Sequence, residues 1–175
     1  ASSNTSAPSL AWKAARPAAL FAQAVGGASR RLTFGTGAAV EPTVLRDGRI
    51  LFVSNYLSGL YAINLASGGI SPVREDPPDS LAGIDGLISH GQDLIAIQNG
   101  IQPNRVVMLK MSADGLTVEA VKTLDINHPL FGEPTLGVVV NDSLFFVANN
   151  PVERFLSDHK FEGLPGPVIL RRDLN

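Results

Sequence analysis

Asp93-Leu94-Ile95-Ala96-Ile97-Gln98-Asn99-Gly100, followed by Arg105-Val106-Val107-Met108-Leu109, is the stretch that decides the fold. Both apolar runs are short, rich in branched side chains and bounded by Asp, Asn, Gly or Pro, which is the composition of β-strands. The same order recurs on either side. Upstream, Ile50-Leu51-Phe52-Val53-Ser54 precedes Leu60-Tyr61-Ala62-Ile63-Asn64-Leu65 across the hairpin-like connection Tyr56-Leu57-Ser58-Gly59. Downstream, Leu144-Phe145-Phe146-Val147 precedes Val168-Ile169-Leu170. Ile50–Asn55, Asp93–Asn99 and Ser143–Asn149 therefore share one slot, each ending in Asn, at spacings of 43 and 50 residues. Ser67-Gly68-Gly69 and Ala113-Asp114-Gly115 supply tight turns after the following slot. A period of roughly forty to fifty residues, with three or four short strands per unit, marks propeller blades. A β-sandwich also has many short strands, but not this repeated order. The expectation is an all-β fold, a partial β-propeller of about three blades over residues 40–175.

Blades bury their faces against neighbouring blades, and closure takes at least about four of them. The chain has room for fewer, so it reads as a piece of a propeller or a half completed by a partner. An unclosed set leaves an apolar blade face open, which makes self-association through that face an expectation.

The whole chain of 175 residues is one domain's length, and 45% hydrophobic against 17% charged residues is enough to bury a core. Seventeen Gly and twelve Pro suit a fold with many turns. The net charge of −2 argues against nucleic acid or an anionic membrane surface as a general partner. No apolar run is long enough for a membrane-spanning helix. The absence of Cys excludes disulfides, thiolate metal sites and cysteine nucleophiles, and it leaves the redox compartment open.

Charge is uneven. Residues 1–40 contain no Asp or Glu and carry Lys13, Arg16, Arg30 and Arg31, while the remainder is acidic. Residues 1–39 are rich in Ala and Ser and read as a separate, loosely packed or partly helical segment, with Ala18–Val25 its one helical stretch. An export or transit remnant is a second reading, but Pro17 and the basic residues interrupt any apolar core of a leader.

Gly83-Ile84-Asp85-Gly86-Leu87-Ile88, the strand ending in Asn99-Gly100, and the strand opening with Arg105-Val106 together resemble a blade of a known group. That group contains the six-bladed propellers of the senescence marker protein, gluconolactonase and luciferin-regenerating enzyme family. Leu45–Leu65 is similar to the blade before it, and Gly132–Val140 with Pro167–Leu174 resembles the C-terminal end of bacterial members. The likeness covers roughly residues 40–175; residues 1–39 match nothing in the family.

The resemblance implies a lactonase-like, metal-assisted hydrolase, or a fragment of one, acting on a sugar lactone or similar small molecule. It implies a divalent cation, Ca²⁺ by the hardness of the oxygen ligands, at the mouth of the channel. The family's Asp, ligand and candidate general base, falls on Asp85. The middle-blade Asn falls near Val40, which cannot bind a metal, so Glu41 beside it is the substitute ligand. The early-blade Glu has no counterpart. Glu133 opens an inner strand in a slot similar to that of Asp85 and is the third candidate ligand. Asn99 and Arg105 are the candidate substrate-binding residues.

Each of these has a structural alternative. Asp85 is equally readable as the cap of an Asp-Gly turn, Glu41 and Glu133 as strand-start acids, and Asn99 as a left-handed residue before Gly. His90, His128 and His159 read as loop residues, with no His-x-x-x-His spacing. No Gly-x-Ser-x-Gly elbow is present, and Gly35-Thr36-Gly37 lacks the rest of a phosphate loop. The alternative function is a non-catalytic propeller scaffold or binding module. What separates it from the enzyme is the completeness of the ligand set.

Overall fold

The computed structural model describes residues 21–22, 30–31, 39–44, 49–75, 81–151, 157, 163 and 166–175. The chain runs through β1 (Phe21–Ala22), β2 (Arg30–Arg31), β3 (Ala39–Val44), β4 (Ile50–Asn55), β5 (Gly59–Asn64), β6 (Ile70–Pro72) and β7 (Arg74–Glu75). It continues through β8 (Ile84–His90), β9 (Asp93–Gln98), β10 (Arg105–Met111), β11 (Thr117–Ile126), β12 (Gly137–Val140), β13 (Ser143–Val147) and β14 (Ile169–Asp173). Three sheets follow one another as the repeat predicts. The first has the order β3-β4-β5-β6, the second β8-β9-β10-β11 with β7 added to its outer edge, the third β12-β13-β14. Within each, successive strands pair antiparallel; among the described residues the one parallel pair is β7 with β11.

Turn chemistry sets the hairpins. Asn55 Oδ1 accepts the Leu57 and Ser58 amides at 3.1 and 3.0 Å, and Gly59 takes φ +97°, a conformation that favours glycine. Asn64 does the same for Ala66 and Ser67, at 3.0 and 2.9 Å.

Strand alternation divides each blade into two faces, and the faces stack. Phe52, Leu60 and Ala62 of the first blade share a buried cluster with Leu94, Ala96 and Leu109 of the second. Ile95, Ile97, Val106 and Met108, on the second blade's other face, share one with Leu144 and Phe146 of the third. By the face each occupies, the Phe52–Ala62 pair corresponds to Ile95–Met108 and Leu51–Ile63 to Leu94–Leu109, so the expected slot ending in Asn is out by one residue in the first blade. Each blade thus presents one face forward to the next and one backward to the last.

The expected helix over residues 18–25 is corrected where the structure describes it. Phe21–Ala22 lies in a strand paired antiparallel with Arg30–Arg31. A helix satisfies its backbone within about four residues, whereas here the partner strand, some nine residues on, supplies the hydrogen bonds. The remaining expectations for residues 1–39 lie outside the described residues. Among the described residues no helix is long and apolar enough to cross a membrane.

Candidate functional site at the inner-strand ends

The first strands of the three blades come together, with β8 lying against both β3 and β12. Glycine makes the approach close. A Cβ on Gly86 would lie 2.9 Å from the Thr135 carbonyl oxygen, so no side chain fits between β8 and the segment leading into β12.

Asp85 is the second residue of β8, where the ladder slips: Ile84 pairs with Gln98 and Gly86 with Ile97, leaving Asp85 unpaired in a bulge. A bulge re-aims the side chain it carries. The Asp85 Oδ2 accepts the Asn99 amide nitrogen Nδ2 at 2.8 Å, and Asn99 Oδ1 accepts the Tyr56 hydroxyl at 2.8 Å. Asp85 therefore does not cap an Asp-Gly turn. Nor is Asn99 among the left-handed residues, which outside glycine are Asn127, Asn141 and Asp142 among the described residues. The partner of Asp85 lies fourteen residues along the chain and the second partner of Asn99 in the first blade, not among the next residues in the chain.

Tyr56 belongs to the β4–β5 turn of the first blade, so the relay Tyr56–Asn99–Asp85 ties the first blade to the second. Its geometry rests on two facing glycines. A Cβ on Gly100 would stand 2.6 Å from the Gly83 Cα and 2.7 Å from the Tyr56 ring carbon Cζ. Gly83 donates its amide to the Tyr56 carbonyl at 2.7 Å and accepts the amides of Asn99 and Gly100 at 3.1 and 3.2 Å.

Beside this relay, the buried Gln98 donates to the Ala82 carbonyl at 2.7 Å and accepts Arg105 Nε at 2.7 Å. A buried amide left without partners is costly, so the half-buried Arg105 has a structural task here. Tyr56, Gln98 and Gly83 all lie inside stretches whose turn or strand signals the sequence shows, but none of them stands out there as a site residue.

The other expected ligands are placed differently. Glu41 is also at a slip, between Val40 and Pro42 of β3. Glu133 does not share the slot of Asp85. Thr135 donates its amide to the Val147 carbonyl at 3.0 Å and Leu136 accepts the Val147 amide at 3.0 Å, which sets Thr135 level with Asp85 and leaves Glu133 two residues ahead of it. His90 ends β8 opposite Asp93 instead of lying in the turn. His128 lies outside the strands, its Nδ1 accepting the Leu130 amide at 3.2 Å, and His159 lies outside the described residues.

One Asp85 oxygen is already occupied by an amide donor, and among the described residues no three His, Asp or Glu side chains gather as metal ligands. Two carboxylates away from this relay are held below the usual range. Asp114, in the β10–β11 turn, is lowered by the Ser112 hydroxyl and then by the Leu116 amide. Asp173, on β14, is lowered by the Ser143 hydroxyl and then by Arg171.

Three successive antiparallel sheets, stacked forward to back with their first strands together, define a β-propeller-like fold. Comparison with solved structures agrees. The chain is similar to TolB from Acinetobacter baumannii, a β-propeller protein, at a TM-score of 0.60 and 14% identity over 89% of this chain. It spans 35% of that chain's length, about a third. A second similar structure is the tricorn protease, at a TM-score of 0.42 and 16% identity over 70% of this chain and 12% of that one. No protein-family model matches the sequence, and no curated protein does. The likeness supports the propeller fold; it does not extend to the gluconolactonase group.

Proposed function

We propose that the chain is a β-propeller binding module whose ligand-facing surface is the end of the inner strands around Asp85, Asn99 and Arg105. The observation that carries this is the Tyr56–Asn99–Asp85 relay. It holds a carboxylate at a strand bulge, at the joint of two blades, by hydrogen bonds that arrive from residues distant in sequence. A held carboxylate, amides and a guanidinium at one rigid edge suit a small polyhydroxylated ligand, which offers donors to Asp85 and acceptors to Arg105.

The finer reading, a lactonase-like hydrolase with a Ca²⁺ cofactor, is favoured by one observation. Asp85 and Glu41 both stand at bulges of adjacent first strands, and bulges cluster near active sites.

One titration tests both. An aldonolactone added to the nitrogen-labelled chain, with and without Ca²⁺, is expected to shift the amide signals of residues 83–86 and 98–105. Signals that stay fixed at saturating lactone defeat the binding surface. Aldonate that forms faster than in buffer, and not with Asp85→Asn, supports the hydrolase. No calorimetric heat at millimolar Ca²⁺ removes the cation from it.

A further inference from the structure

Asn99 is the one Asn of this chain that is followed by Gly. That pair is chemically labile: the backbone nitrogen of the glycine attacks the side-chain carbon Cγ of the Asn, and glycine has no side chain to shield the nitrogen or stiffen the backbone. The joint between the first two blades nonetheless demands both residues. A Cβ at position 100 would stand 2.6 Å from the Gly83 Cα and 2.7 Å from the Tyr56 ring carbon Cζ, so only glycine fits. Position 99 needs an acceptor and a donor on one short side chain, since Oδ1 takes the Tyr56 hydroxyl and Nδ2 reaches Asp85. Packing and hydrogen bonding thus place an Asn-Gly bond where two blades meet. On the third blade Asn149 is followed by Asn instead, and its side chain bonds to the Val168 amide and the Gly166 carbonyl of its own blade.

The contacts that demand the pair also oppose its reaction. Attack requires the Gly100 nitrogen to give up its proton and the Asn99 side chain to turn until Cγ meets that nitrogen. The Gly100 amide donates to the Gly83 carbonyl at 3.2 Å. The Asn99 carboxamide is held at both ends, by Tyr56 and by Asp85, each at 2.8 Å. One of these holds, the Tyr56 hydroxyl, comes from the first blade, so it is released when the joint opens.

We propose that Asn99 is a site of spontaneous deamidation whose rate is set by opening of the joint between the first and second blades. The Gly100 nitrogen bonds to Asn99 Cγ, the Cγ–Nδ2 bond breaks, and ammonia leaves with the proton from Gly100. Water then opens the cyclic imide, to Asp or to the isomer whose main chain runs through the side-chain carbonyl. Either product undoes the joint. Asp sets a second carboxylate against Asp85 where an amide donor had been, and like charges repel. The isomer lengthens the backbone where Gly100 and Gly83 leave no room. The proposal is independent of what the surface around Asp85 binds.

The full chain is incubated at mildly alkaline pH, folded or in urea, and the peptide holding residue 99 is followed by mass spectrometry for an amide turned to an acid. Conversion is expected in both, at least about tenfold slower in the folded chain, because the region must first open. In urea it should outrun conversion at Asn104, which Arg follows. In folded Tyr56→Phe it should run about fivefold faster than in the folded wild type, the factor that one lost hydrogen bond gives. Ile63→Ala, which loosens the far face of the first blade, should accelerate it less than Tyr56→Phe does. Circular dichroism confirms that each variant is folded. Asn99→Asp, which installs one product, should lower the urea midpoint. Adding Asp85→Asn to it moves the amide to the other side of the pair and should recover most of the loss. Four results overturn the proposal: residue 99 unconverted in urea or no faster than Asn104, equal rates folded and in urea, a rate unmoved by Tyr56→Phe, or a larger acceleration by Ile63→Ala, which would make global unfolding the gate. An Asn99→Asp chain as stable as the wild type overturns the claim that the product undoes the joint.

Discussion

The first and third blades each turn one face away from the second blade, and the two faces differ. On the first blade Leu51, Val53 and Ile63 are buried; on the third, Val138, Val140 and Ile169 stand about half exposed. Their sequences do not announce this. Both are short apolar runs with branched side chains and polar ends, and both have an inward face packed on the middle blade. The lesson is that strand alternation fixes which side chains share a face, while burial is decided by what stacks against that face. The middle blade, covered on both sides, shows the saturated case: Leu94, Ile95, Ala96 and Ile97 are all fully buried in succession.

Truncating a side chain on each of the two faces should give the largest difference between them. Ile63→Ala, in the buried face of the first blade, should cost about 2–5 kcal/mol in denaturant unfolding, since lost transfer energy and an unfilled cavity add. Val138→Ala, in the open face of the third, should stay within about 0.5 kcal/mol at concentrations where the chain is monomeric. Equal costs at the two positions would mean that the open face is covered in solution.

The joint between the first and second blades is the next lever. Gly100→Ala places a methyl against the Gly83 backbone and the Tyr56 ring. The ring can swing, but the backbone of Gly83 is tied by three hydrogen bonds. The expected cost is about 1–3 kcal/mol, with amide shifts confined to the Tyr56–Gly59 turn and to Asn99. A smaller effect is expected for Tyr56→Phe. It removes the donor to Asn99 Oδ1 and should cost about 1 kcal/mol. If that variant also weakens lactone binding while Val138→Ala does not, the ligand surface belongs to the inner ends and not to the open face.

Acid gives the gentlest separation of the two ends. The pKa of Asp173 is lowered in the folded chain by the Ser143 hydroxyl and by Arg171. Its contribution is therefore complete above the ordinary carboxylate range and disappears as pH falls through the lowered value. Hydrogen exchange should show β14 losing protection in that acid window before β4 and β5 do. Uniform loss across all three strands would mean that Asp173 does not tie down the outer strand.

Much of the fold was legible along the chain because it is written locally. The slot that ends in Asn, the paired runs and the Gly-rich turns each need only neighbouring residues, and β4, β5, β9, β10, β13 and β14 fall where those signals place them. The candidate site was legible only in part. Asp85 and Asn99 stood out as residue types, yet each had a local alternative, a turn cap and a left-handed residue. The structure instead links them across strands to Tyr56, 43 residues from Asn99. Glu133 drops out of the slot of Asp85 because the register of β12, not the count of residues, sets the level.

Composition, strand period and turn chemistry by themselves determined an all-β chain of repeated antiparallel units, since each of those follows from backbone geometry over a few residues. Only the tertiary structure decided which carboxylate stands at a bulge, which glycines face one another, and which of two similar apolar faces is left open. Those outcomes depend on the stacking of blades whose residues are far apart in sequence, where a shift of one position in a ladder turns a side chain to the opposite face.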